Sequence, residues 1–445
     1  MGSLRYLFLD GVAIKGLPCS ISHLTQLDYL CLKNCRNLRS LPNTIGHLTR
    51  LSTLNLEECR NLRSLPNTIC GLKSLKTLGL DSCSSVEAFP EIMEDMEHLE
   101  ELNLCGTDIS ELPSSIEHLR GLWHLQLNKC EKLVSLPNSI GNLTCLVRLC
   151  VSNCSKLRNF PNNLRSLHCC LRDLDLGGCN LMEGEIPSDL WCLSSLKFLN
   201  LSGNHIRCVP VGIIQLSRLF TLFVNHCPML EEIGELPSSL GWIRAHGCPC
   251  LETETFSSLL WSSLLKCFKS PIQLADWRFV VPGRNGIPEW VRHQRMGCEV
   301  GIELPMNWYE DNNFLGFALF FHHVPLDDDE CEIAEGSLPH YEWTISHGDH
   351  SQQLEKISFY SKCCYDSGST SDPAIWVTYF PQINIPCEYR SRRWNNFKAH
   401  FHTPIGVGSF KCGDNACFKV KRLWDAFLVR PRSDPLASAI KRKPW

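Results

Sequence analysis

A chain of 445 residues, 44% hydrophobic and 20% charged, is long enough for two or three domains and too apolar to be disordered. Its 43 basic and 47 acidic side chains leave a net charge of −4, which gives no field to draw it to nucleic acid or an anionic membrane surface. No run of 18 apolar residues occurs, so no membrane insertion is expected.

The opening "MGSLRYLFLDGVAIKGLP" lacks a basic segment followed by an unbroken apolar stretch, and the sixth position lacks the Ser or Thr of a myristoylation signal. A cytoplasmic location follows as the expectation. From Leu4 onward the chain repeats L-x-x-L-x-L-x-x-C-x-x-L-x-x-L-P about eleven times, at intervals of 21 to 25 residues. "LRSLPNTI" occurs twice word for word, at Leu38–Ile45 and Leu62–Ile69. The period and pattern are those of leucine-rich repeats, whose units bury their apolar side chains only by stacking.

Alternation along a strand sends Leu54 and Leu56 inward and Thr53, Asn55 and Glu57 outward. The following L-x-x-L-P segment and stretches such as "NTIGHLTR", with Ile and Leu three residues apart, return the chain over the other side and close the core. The expected fold is therefore an α/β leucine-rich-repeat solenoid: a parallel β ladder with an irregular or short-helical convex side. Cys35, Cys59, Cys83, Cys130, Cys154, Cys179, Cys227 and Cys248 stand eight residues after the first leucine of their copies, with Thr107 and Asn204 in two others. That position faces inward, so these are expected to be buried thiols rather than partners in disulfides.

Binding side chains are expected among the outward ladder positions, because the inward ones form the core. Aromatic and arginine side chains are common interface anchors. The candidate protein-binding residues are His124, Gln126, Arg148, Asp173, Asp175, Phe198, Phe223, Trp242 and Arg244. The polar stretch from His124 to Arg148 leads them; Phe198, Phe223 and Trp242 are read equally as packing against the following domain. The doubled phrase itself reads as scaffold.

After "ETETFSSLLWSSLLKCFKSP" the repeat stops. Short alternating runs such as "EVGIELP", "FALFFHHV" and "IWVTYFP", separated by Pro, Gly and Asp, read as an antiparallel β-sandwich of jelly-roll type. The expected organisation is a solenoid over 1–252, a hinge over 253–274, a jelly-roll domain over 275–431 and a basic tail over 432–445. Lys441, Arg442 and Lys443 in that tail are a nuclear-targeting candidate.

No metal site is expected. His322-His323, Cys363-Cys364 and the pair His400 and His402 lack metal-binding spacing, and Asp327–Glu330 lacks that of a calcium loop. No phosphate-binding G-x-x-x-x-G-K-[ST] is present, so no nucleotide held by that motif is expected, and no Ser, His, Asp set can be placed together.

The unit "LPSSIEHLRGLWHLQLNKCEKLVSLPNSIGNL" and the variant "LNLCGTDISELPSSI" resemble the repeats of plant intracellular immune receptors of the TIR-NB-LRR class. Pro282-Gly283, Ile287-Pro288-Glu289-Trp290, Gly297, Leu304-Pro305 with Trp308, and Phe314–Ala318 are similar to the post-repeat jelly-roll (C-JID) module of the same receptors. "VKRLWDAFLVR" departs from the Cys-Gly pair that family places before its last strand. The resemblance implies recognition of a pathogen effector or host protein, with no cofactor and no enzymatic activity, since the nucleotide switch and NAD-cleaving domain of full-length relatives lie outside this sequence. A truncated product that binds the nucleotide-binding region of a related receptor, and no foreign ligand, is the alternative reading.

Overall fold

The computed structural model describes residues 4–267, 277–289, 291, 293–296, 299–304, 314–323, 340–347, 350–357, 373–381, 396–402 and 417–424. The pair Cys363-Cys364, the acidic run Asp327–Glu330, Trp290, Gly297, Pro305, Trp308 and the tail 432–445 lie outside the described residues. The chain divides into two compact units, 1–230 and 231–445.

In the first unit each repeat contributes one three-residue strand: β1 (Tyr6–Phe8), β2 (Tyr29–Cys31), β3 (Thr53–Asn55), β4 (Thr77–Gly79), β5 (Glu101–Asn103), β6 (His124–Gln126), β7 (Arg148–Cys150), β8 (Asp173–Asp175), β9 (Phe198–Asn200) and β10 (Thr221–Phe223). All neighbours pair in parallel with one register, so Leu30, Leu54, Leu78, Leu102 and Leu125 form a continuous inward column. Each of these is 0 or 1% exposed.

The return side is built by the prolines. Pro42, Pro66, Pro113 and Pro137 sit in extended backbone, and each is followed by one short 3-10 turn. Three residues per turn bring i and i+3 to the same side. Ile45 and Leu48 therefore point inward together, both fully buried, with the Leu48 N–H donating to the Ile45 carbonyl at 3.0 Å. Successive turns stack closely enough that a Cβ on Gly71 would lie 2.6 Å from the Gly46 carbonyl oxygen.

The cysteine column is the hinge point between strand and return. Cys59, Cys83 and Cys154 are fully buried. Their thiols donate to the carbonyls of Leu32, Leu56 and Leu127, each at 3.0 Å. Asn204 meets the same need with a stronger donor, its Nδ2 reaching the carbonyls of Leu176 in the preceding coil and Leu201 in its own at 2.9 and 2.8 Å, whereas Thr107 Oγ1 turns to the Leu104 carbonyl of its own coil at 2.7 Å. Burial pushes the Cys59 thiol up to about 11 and those of Cys83 and Cys179 up to about 12.

The residue before this column has left-handed backbone in every copy. Gly11, Gly106, Gly178, Gly203 and Gly247 take it without a steric cost, and Asn34, Glu58, Ser82, Lys129, Asn153 and His226 take it at φ between 55° and 61°. For a side chain other than glycine this costs about 1 kcal/mol. The N–H of that residue offsets it by bonding across the ladder, as from Asn34 to Glu57 and from Lys129 to Ser152, both at 2.7 Å.

In the second unit β11 (Trp242–Arg244) pairs in parallel with β12 (Trp277–Pro282). Parallel neighbours need a crossover, and the helix α1 (Glu254–Cys267), within the segment expected as a hinge, lies between the two strands in the chain. Leu260, Trp261 and Leu264 of α1 are buried, and Trp261 meets Phe320 at 5.8 Å between ring centroids.

The remaining strands are β13 (His293–Met296), β14 (Glu299–Glu303), β15 (Phe314–His323), β16 (His340–His347), β17 (His350–Ile357), β18 (Ala374–Pro381), β19 (Asn396–His402) and β20 (Cys417–Trp424). They form one sheet in the order β12-β18-β15-β20-β13 and another in the order β14-β19-β16-β17, antiparallel throughout. Phe317 of the first stacks on Phe397 of the second at 4.2 Å and 15°. The departing segment "VKRLW" is the end of β20 and pairs with β15. The Pro282-Gly283 pair is a close-approach point, where a Cβ on Gly283 would lie 2.8 Å from the Ala374 backbone. His322 Nε2–H donates to the Gly283 carbonyl at 2.7 Å, which gives this histidine a structural role.

Candidate functional site

Because the strands share one register, their outward side chains form two columns. One runs Glu101, His124, Arg148, Asp173, Phe198; the other runs Asn103, Gln126, Cys150, Asp175, Asn200. Chemically different side chains thus stand about 4.8 Å apart on one surface.

The first column makes a connected cluster. Arg148 Nε donates to Asp173 Oδ2 at 2.7 Å, and the guanidinium lies 5.8 Å from the centre of the Trp123 ring. Trp123 in turn meets the His124 ring at 5.3 Å. Arg148 is exposed, whereas Trp123, His124 and Asp173 are half-buried. Burial holds the His124 imidazole below its ordinary range, and the Arg148 cation lowers it further, against a smaller upward pull from Asp173. The imidazole is therefore neutral at pH 7, with a donor and an acceptor, beside an arginine–carboxylate pair and an indole face.

The second column is more internally satisfied. Asp175 Oδ1 accepts from the Gly177 N–H at 3.0 Å and from Asn200 Nδ2 at 2.8 Å, and Asn200 Oδ1 accepts from the Ser202 N–H at 2.9 Å. Gln126 is half-buried between Asn103 and Cys150 in the register.

Two of the candidate binding residues are buried. Phe223 is 5% and Arg244 9% exposed. Alternation settles which side of a strand a residue takes, not whether that side is covered. The Phe223 ring meets Phe198 edge to face at 5.3 Å, and Thr221 beside it on β10 is also buried. Arg244 and Trp242 belong to the second unit, where the Arg244 guanidinium lies 5.2 Å from the Trp242 ring centre and that of Arg278 lies 6.0 Å from it.

Trp123 is the member of the cluster that strand alternation misses, since it has the parity of inward Leu125. A signal was present: in seven of the ten other copies the same repeat position is polar (Arg5, Asp28, Ser52, Lys76, Glu100, Arg172 and Lys197), with Val147, Phe220 and Gly241 in the remaining three, which marks it as mostly accessible. Among the described residues no group of three or more metal-ligating side chains occurs.

Family models match most of the chain: a leucine-rich repeat region over residues 1–104, the leucine-rich repeats of RPS4B-like disease resistance proteins over 71–260, and a C-JID domain over 281–424. The chain belongs with the plant TIR-NB-LRR disease resistance proteins. Disease resistance-like protein DSC1 of Arabidopsis thaliana is 31% identical over 355 residues, 71% of this chain and 25% of that protein. TMV resistance protein N of Nicotiana glutinosa is 27% identical over 276 residues, 54% of this chain and 22% of its own length. This disease resistance chain thus spans about a quarter or less of these relatives. Among solved structures, the leucine-rich repeat domain of the type III effector XopL aligns with 54% of this chain and 75% of its own, at 25% identity and a TM-score of 0.41. Both kinds of domain in this disease resistance chain are non-catalytic, and no described helix is long and apolar enough to cross a membrane.

Proposed function

We propose that the ladder face is a protein-recognition surface whose centre is Trp123, His124, Gln126, Arg148 and Asp173, and that it binds a pathogen effector or a host protein inside the cell. The observation that carries this reading is the linked Trp123–His124–Arg148–Asp173 cluster. It offers an aromatic face, an exposed cation and a neutral imidazole within one patch, and aromatic and arginine side chains dominate protein interfaces. Arg148 and Asp173 are partly solvated, so their pairing contributes only about 0–1 kcal/mol to the fold. Recognition, rather than stability, is then the stronger reason for their placement. The buried thiol column supports an intracellular location, where thiols stay reduced.

The test is an interaction screen against effectors, followed by calorimetry of any pair with wild type and with the H124A/Q126A/R148A variant. An affinity loss of more than about 2 kcal/mol with an unchanged unfolding midpoint supports the placement. Equal affinity removes it. Binding to the nucleotide-binding region of a related receptor, with no effector bound, would favour a regulatory role instead.

A further inference from the structure

The doubled phrase "LRSLPNTI" holds a feature that its scaffold role leaves unexplained. Its arginines Arg39 and Arg63 lie on the return side of adjacent coils, directly one after the other. The Arg63 N–H donates to the Arg39 carbonyl and the Arg39 N–H to the Lys15 carbonyl, both at 3.1 Å, and Ser40 pairs with Ser64 in a parallel bridge. Three cationic residues are thereby stacked in register, about 4.8 Å apart. With Asn37 and Asn61 they line an open cleft of about 190 Å³. Asn61 is fixed there by donating from Nδ2 to the Arg36 carbonyl at 2.5 Å.

Some cations elsewhere in this unit are matched across neighbouring coils, among them Lys33 with Glu57 at 2.9 Å, Lys76 with Glu100 at 3.4 Å, and Lys132 with Asp108 at 2.7 Å. Among the described residues, no carboxylate forms an ion pair with Lys15, Arg39 or Arg63. Like charges set opposite one another on adjacent strands destabilise a sheet. In a chain of net charge −4, an unmatched cationic row around a cleft is therefore a local arrangement that a bound anion would relieve.

We propose that the Lys15–Arg39–Arg63 cleft binds a small polyphosphorylated anion, either free or as the headgroup of a phosphoinositide. Two guanidinium forks and one ammonium supply planar, bidentate and point-charge contacts suited to successive phosphate groups. A single phosphate would engage only part of the row, so affinity rises with the number of phosphates. The site lies on the return side and does not depend on the ladder face being a recognition surface.

The experiment uses the full chain. Inositol hexakisphosphate and inorganic pyrophosphate are titrated calorimetrically, and vesicles of phosphatidylcholine with and without phosphatidylinositol bisphosphate are tested by co-sedimentation. Binding of inositol hexakisphosphate above pyrophosphate, weakened roughly tenfold or more in K15Q/R39Q/R63Q but not in K76Q/K132Q, supports a free-anion source. Phosphoinositide-dependent sedimentation without free-anion binding, lost in the same triple variant, supports the lipid source. Absence of binding to every probe, or equal binding by the triple variant, overturns the proposal. The ligand-free thermal midpoint is a second readout: removing the stacked charges should leave it equal or raise it, and a lower midpoint would mean that the row is structural and would also overturn the proposal.

Discussion

Asn204 replaces cysteine in the buried column, and the structure gives a different cost for losing it than for losing a thiol. Its Oδ1 accepts from the N–H of Cys179 at 3.1 Å and of Leu181 at 3.0 Å, while Nδ2 donates to the carbonyls of Leu176 and Leu201. The side chain is fully buried. Asn204→Ala strands two buried N–H groups and removes a donor from two carbonyls. At about 1–3 kcal/mol for each stranded donor, with a smaller term for the carbonyls, the loss is roughly 4 kcal/mol. Cys83→Ala removes one weak donor to the Leu56 carbonyl and leaves a small void, for a cost of about 1–2 kcal/mol.

Urea denaturation of the full chain gives the global comparison. Because solenoid repeats unfold partly as neighbours, hydrogen exchange at the Cys179 and Leu181 amides gives the local one. Asn204→Ala should lower the midpoint more than Cys83→Ala and strip protection from those two amides. Equal costs for the two variants, or retained protection at both amides, would refute the reasoning that the asparagine serves several backbone groups where Cys83 serves one.

Other outcomes follow from the same geometry. With their acidity constants raised to about 11 and 12, Cys59, Cys83 and Cys179 should resist a thiol reagent at about pH 8 in the native chain, while exposed Cys19, Cys145 and Cys169 react; labelling after unfolding checks the difference by mass spectrometry. His124 has a folded value below its unfolded one of about 6.5, so the unfolded chain binds more protons just below that pH. Stability should therefore fall as pH drops from about 6.5 towards the folded value, and His124→Asn should flatten that slope in unfolding midpoints measured across the window. Gly283→Ala places a Cβ against the Ala374 backbone and should destabilise the second unit by about 1–3 kcal/mol, seen as a lowered transition with the first unit's transition unmoved. Arg148→Ala should cost the fold no more than about 1 kcal/mol, in keeping with a partly exposed ion pair.

The repeat, its inward leucines and its cysteine column were legible in the sequence because each rests on local rules. A two-residue alternation, a proline in extended backbone and an Ile-Leu spacing of three act within one coil, and stacking then copies them. The polar residues at the position of Trp123 carried a similar local mark of accessibility. The helix α1 was harder to read, because the need for it arises from the parallel pairing of β11 with β12, strands far apart along the chain. Tertiary structure alone decided that Phe223 and Arg244 are covered, that His322 is engaged by Gly283, and that Arg148 meets both Asp173 and Trp123. It also decided that the arginines of the doubled phrase meet Lys15 in one cleft. The physical reason is the same in each case: periodicity sets the side of the coil on which a residue lies, whereas its neighbours are set by register between coils and by what packs over them.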